Sequence, residues 1–111
     1  NSDINFDSLT AFAGEDKDAS VYILKTFVEE TTKSNALLEG TLQDDDREQS
    51  AKISHKMVPL FTMLGATSLV EKLRVIEKNA TTLPVEEWKS LLSEVIAEVK
   101  KIIEQAMTVS K

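Results

Sequence analysis

Apolar residues recur every three or four positions along most of this chain, the period of a helix that buries one face. Leu24, Phe27, Thr31 and Leu38 align on one side of a segment from about Asp18 to Glu39, with Gly40 placed as its C-terminal cap. Asp44-Asp45-Asp46 puts negative charge at the start of the next segment, where it complements the helix dipole. That segment runs to about Leu64, before Gly65, and its apolar stripe is Ile53, Met57, Leu60 and Leu64. Thr67 or Ser68 can cap a fourth helix with the stripe Leu69, Leu73, Ile76 and Ala80, ending before Thr81-Thr82-Leu83-Pro84. Pro84 suits the start of a fifth, where Trp88, Leu92, Val95, Val99, Ile102 and Ala106 form the widest apolar face, flanked by Leu91, Ile96 and Ile103. Ahead of these, Ser8 to Ala13 predicts a short helix with Asp7 as N-cap and Gly14 as its stop. Long amphipathic helices joined by short links pack antiparallel. The expected fold is therefore all-α: an antiparallel up-down-up-down four-helix bundle with a short N-terminal capping helix.

Composition supports this class. Three Gly and two Pro in 111 residues leave few turns, and an aromatic content of 5% disfavours many short strands. One domain spanning residues 1–111 is expected, because the length suits a single core and 41% hydrophobic residues suffice to fill it. The net charge of −6 opposes binding to nucleic acid or to an anionic membrane, so the expected partners are proteins. The chain has no cysteine, which excludes disulfides and thiolate chemistry and fits a reducing cytoplasm. No run of residues is apolar enough to span a bilayer. The chain does not open on methionine and reads as a soluble module cut from a longer protein.

Among chemistry-bearing residues, the one histidine stands out. At about 100° per residue, His55 lies opposite Ile53, Met57, Leu60 and Leu64, and shares its face with Glu48, Ala51, Lys52, Pro59 and Thr62. An imidazole so placed is presented to solvent. Free histidine titrates near about 6.5, so much of it is neutral and nucleophilic at physiological pH. Helical side chains lean toward the N-terminus, which sets His55 over Ala51 and Lys52, with Lys56 at the edge of the same region. Ala51, Val58, Pro59, Thr62 and Met63 are read as a small collar suited to docking a partner helix.

The run Ile53-Ser54-His55-Lys56-Met57-Val58-Pro59-Leu60-Phe61-Thr62-Met63-Leu64-Gly65-Ala66 resembles the active-site helix of histidine-containing phosphotransfer (HPt) domains, in which Gly-Ala follows the phospho-accepting His by ten and eleven residues. Leu69, Leu73 and Glu77 resemble the family's next helix, and Phe6-Asp7 to Gly14 its N-terminus. The resemblance implies a phosphorelay carrier of two-component signal transduction. His55 would accept a phosphoryl group from a receiver-domain aspartate and pass it to another receiver. The partners so implied are response-regulator receiver domains, with Mg²⁺ on the receiver, no cofactor on this chain, and a monomeric carrier that is not an ATP-dependent enzyme. It further implies a cytoplasmic module, here of a hybrid sensor histidine kinase whose parent can be membrane-anchored.

Two positions depart from the family pattern. Three residues after the His, where members often carry a phosphate-holding Lys, this chain has Val58. Lys52 is the expected substitute. Four residues after it, where members usually have Gly, stands Pro59, which lacks an N–H for the His55 carbonyl and predicts a local kink.

The competing reading is a non-enzymatic helical interaction module in which His55 is incidental. An enzyme with its own machinery finds little support, since there is no Cys, no second His and no nucleotide-binding motif. Glu29, Glu30, Glu39 and Glu48 read as helix surface, the Asp44–Asp46 run lacks the further oxygens a cation needs, and Asn79-Ala80-Thr81 is a chance glycosylation sequon.

Overall fold

The computed structural model describes residues 4–109. Its helices are α1 (Asp7–Thr10), α2 (Lys17–Gln43), α3 (Arg47–Met63), α4 (Thr67–Asn79) and α5 (Val85–Val109), with a 3₁₀ turn at Ala11–Ala13 after α1. Helix α2 packs on α3 and α5, and α4 packs on the same two, so the four long helices close into a bundle. The expected class holds: an antiparallel four-helix bundle capped by a short N-terminal helix. Among the described residues, no helix is long and apolar enough to cross a membrane.

The core follows the sequence period closely. Leu73, Ile76, Trp88, Leu92, Val95, Val99 and Ala106 are fully buried, as are Leu38, Phe61 and Leu64. Phe27 meets Phe6 and Phe61 edge-on, with ring centroids 6.1 Å apart in each pair, and this aromatic chain pins the N-terminal cap to α2 and α3.

Helix ends depart from the sequence reading where side chains further along still have something to bury. Gly40 does not cap α2, which continues through it to Gln43 because Thr41 is buried and Leu42 packs against the core. The left-handed residue that closes α2 is Asp45, at φ 53°, with the Asp46 N–H bonded to the Thr41 carbonyl at 2.9 Å. Asp46 is also the cap of α3, its carboxylate accepting from the Gln49 N–H at 3.2 Å. Asp16 caps α2 in the same way, accepting from the Ala19 N–H at 3.1 Å. Asp7 is the first residue of α1 rather than its cap, and its N–H is taken by Asn5 Oδ1 at 3.0 Å. Neither Thr67 nor Ser68 caps α4; Ala66 holds that position without a side-chain bond.

Gly40 therefore sits inside a regular helix, and a Cβ added there meets nothing within 4 Å. Gly40→Ala is expected to stabilise the fold by about 0.5–1 kcal/mol, since alanine loses less backbone entropy in a helix. A denaturation midpoint that falls instead would show that α2 needs glycine at this point.

One end of the bundle is clasped by polar groups. Arg47 Nε donates to the Ala80 carbonyl at 2.7 Å, a second guanidinium nitrogen donates to the Leu83 carbonyl, and the guanidinium lies 5.9 Å from the Trp88 ring centroid. Trp88 Nε1 donates to Ser50 Oγ at 3.0 Å, and Ser50 Oγ donates to the Arg47 carbonyl at 2.6 Å. These bonds tie the start of α3 to the α4–α5 connection. Midway up, Asn35 Nδ2 donates to the Ile96 carbonyl at 3.2 Å and sets α2 against α5. On the α4–α5 seam, Lys72 lies between Glu94 and Glu98, and the hydrogen bond with Glu98 is the main cause holding its ammonium above the usual lysine range.

Candidate functional site

Helix α3 buries a broader and slightly rotated face than the stripe read from the sequence. Ser50, Ser54 and Phe61 join Ile53, Met57 and Leu64 inside, whereas Leu60 is only half-buried at the margin. Small buried serines let neighbouring helices approach α3 closely. The rotation leaves His55 outside: its side chain is 70% exposed. The expected outward histidine is observed.

The α3–α4 turn supplies what surrounds it. Gly65, at φ 76°, donates its N–H to the Thr62 carbonyl at 3.0 Å, and the Ala66 N–H bonds the Phe61 carbonyl at 3.0 Å. A left-handed residue followed by these two bonds reverses the chain within three residues. His55 and Glu77 stand at equal distances in sequence from Ala66, so the antiparallel pair brings them opposite one another. Glu77 Oε2 lies 2.5 Å from His55 Nδ1. A carboxylate only accepts, so the neutral ring carries its proton on Nδ1 and leaves the Nε2 lone pair free. Glu77 is less open than the histidine, with 29% of its side chain exposed.

Gln49, Ala51, Lys52, His55, Lys56 and Glu77 line one shallow cavity of about 370 Å³. Both lysines expected near the histidine are thus at its cavity, and neither has an ion pair among the described residues. Half-buried Ala51 lines it with them. Pro59, Thr62 and Met63 are exposed, and α3 runs through Pro59 uninterrupted, with Thr62 Oγ1 donating to the Val58 carbonyl at 2.7 Å.

Val58 is a correction. It is 9% exposed and belongs to the core, so it is not part of a surface collar. The helical period places it only about 60° round the helix from His55, yet it falls on the buried face of α3.

The surface missed by the sequence reading lies on the other side of α3. Leu60, Tyr22, Ile23, Phe27 and Leu9 line an apolar groove of about 300 Å³ between α1, α2 and α3. Tyr22 is 71% exposed there. Between this groove and the histidine cavity lies a second hollow, lined by Leu60, Glu30, Thr31 and Lys56, so the surface continues from apolar to cationic along α3. Leu60 was assigned to the buried stripe, and only the position of α1 over the α2–α3 seam shows it as a groove wall.

No group of three or more His, Cys, Asp or Glu side chains among the described residues is placed to hold a metal ion. Comparison with family models, curated proteins and solved structures finds no match.

Proposed function

We propose that this chain is a phosphorelay carrier that accepts a phosphoryl group on His55 from a receiver-domain aspartate and hands it to another receiver. The observation that carries this reading is the His55–Glu77 pair, an exposed imidazole whose Nδ1 is occupied, which leaves Nε2 as the nitrogen available for attack. In-line transfer from an acyl phosphate needs a positioned nucleophile and neutralised charge more than covalent machinery on the acceptor. The Nε2 lone pair forms the new N–P bond as the donor's O–P bond breaks and its electron pair returns to the aspartate. Mg²⁺ belongs to the receiver in this scheme and none of this chain's residues is assigned to it.

The apolar groove at Leu60 and Tyr22 supports docking of a protein segment on the face of α3 that leads round to the histidine cavity. Exposed Pro59, Thr62 and Met63, with Ala51 in the lining of the histidine cavity, are the further docking residues in this reading. The groove equally suits the alternative of a bundle that only docks a partner. Incubation with phosphorylated receiver domains separates the two readings. Acid-labile, alkali-stable phosphate on this chain is the expected result, and its absence with every receiver that binds the chain would leave the docking module.

Lys52 and Lys56 are the cations available to the transferred group. Lys52→Ala is expected to slow transfer a few-fold at low salt, since an exposed charge contact is worth about 0.2–1 kcal/mol and is screened by ions. Unchanged rates at low salt would leave charge neutralisation to the receiver. Val58→Lys is a poor restoration of the family's lysine, because it would bury an ammonium in the core.

A further inference from the structure

Three buried side-chain oxygens have no hydrogen-bond partner among the described residues: Thr31 Oγ1, Asn35 Oδ1 and Ser54 Oγ. All three belong to the packed faces of α2 and α3. Thr31 and Asn35 are one turn apart on the same face of α2, and each is only 3% exposed. Thr31 shares the wall of the second hollow with Met57 of α3. One turn nearer the α2–α3 connection, Asn35 follows Thr31 on one helix as Ser54 precedes Met57 on the other, so the antiparallel pair brings fully buried Ser54 to the level of Asn35. Asn35 Nδ2 donates to the Ile96 carbonyl at 3.2 Å, and because a carbonyl only accepts, that bond fixes which end of the amide is the unpartnered oxygen. The hydroxyls of Thr41 and Ser50 donate to carbonyls of their own helices, at 2.7 and 2.6 Å, whereas those of Thr31 and Ser54 do not.

We propose that these three oxygens bind one internal water molecule, which joins α2 to α3. The donor and acceptor count fits water: it donates to Asn35 Oδ1 and to one hydroxyl and accepts from the other, about the three bonds that a buried water makes. None of the three groups is charged, and three neutral oxygens fall short of the roughly six or more that a hard cation takes. Asn35 Oδ1 can only accept, which bars an anion. The hollow on whose wall Thr31 lies measures about 190 Å³ and is bordered by exposed Glu30 and Lys56, which gives the water a route from solvent past Thr31. Three buried polar atoms left unbonded at one helix interface would be costly, and a shared water removes that cost. Ser54 adjoins His55 in sequence, so the water fixes α2 against α3 at the level of the histidine whether or not that residue carries phosphate.

A high-resolution crystal structure of the unsubstituted chain tests the site directly. The expected result is one ordered water within about 2.7–3.2 Å of all three oxygens. Thr31 and Ser54 hydroxyls bonded instead to carbonyls of their own helices, or an interface closed without water, would overturn the proposal. Thr31→Val and Ser54→Ala each remove one ligand of the water and give a check in solution. Once the first substitution releases the water, the second has no water bond left to break, so the urea midpoint of the double variant is expected to shift by clearly less than the sum of the two single shifts. Additive shifts would show that the two hydroxyls share nothing, and would overturn it as well.

Discussion

His55→Gln is expected to leave the bundle folded and to abolish phosphoryl acceptance completely. The side chain is 70% exposed and contributes no core surface, so its replacement should change stability by no more than about 0.5 kcal/mol. Glutamine can still donate to Glu77 from its amide, yet an amide nitrogen has no lone pair free to attack phosphorus. Circular dichroism with a thermal melt reads the first half, and labelling by phosphorylated receivers the second. A variant that unfolds would show His55 to be structural, and one that still takes up label would place the acceptor elsewhere.

Phe61→Ala should destabilise the bundle by about 3–5 kcal/mol, a large share of the roughly 5–15 kcal/mol that holds a domain of this size together. Phe61 is fully buried and packs edge-on against Phe27 at 6.1 Å, so truncation opens a cavity where α1, α2 and α3 meet. Leu64→Ala, also fully buried, should cost about 2–5 kcal/mol. Leu60→Ala should cost clearly less than either, because half-buried Leu60 already borders an open groove. Urea midpoints of the three variants check the order. Equal losses at Leu60 and Phe61 would contradict the rotation of α3 on which the groove and the outward histidine depend. Leu60→Ala should instead show its main effect in receiver binding.

Helix number and the buried positions of α4 and α5 were legible because those two helices carry the strongest apolar stripes. Leu69, Leu73, Ile76 and Ala80 are all inside, as are Trp88 through Ala106 at their three- and four-residue spacing. Helix α3 was less legible. Two serines occupy central buried positions at Ser50 and Ser54, and polar residue types hide from a hydrophobic count the face they belong to. Phe61 went unassigned and Val58 was placed outside for the same reason. Gly40 misled because glycine is read as a stop from its conformational freedom, whereas the chain beyond it had Thr41 and Leu42 to pack.

The sequence by itself determined the all-helical class, the antiparallel bundle and the exposure of His55, because each rests on a period within one helix. Only the tertiary structure decided what meets that histidine. Glu77 on Nδ1 and the Leu60–Tyr22 groove both arise between helices. Such contacts depend on the rotation and offset with which two helices pack, and those are set by the summed fit of many buried side chains, not by any local pattern.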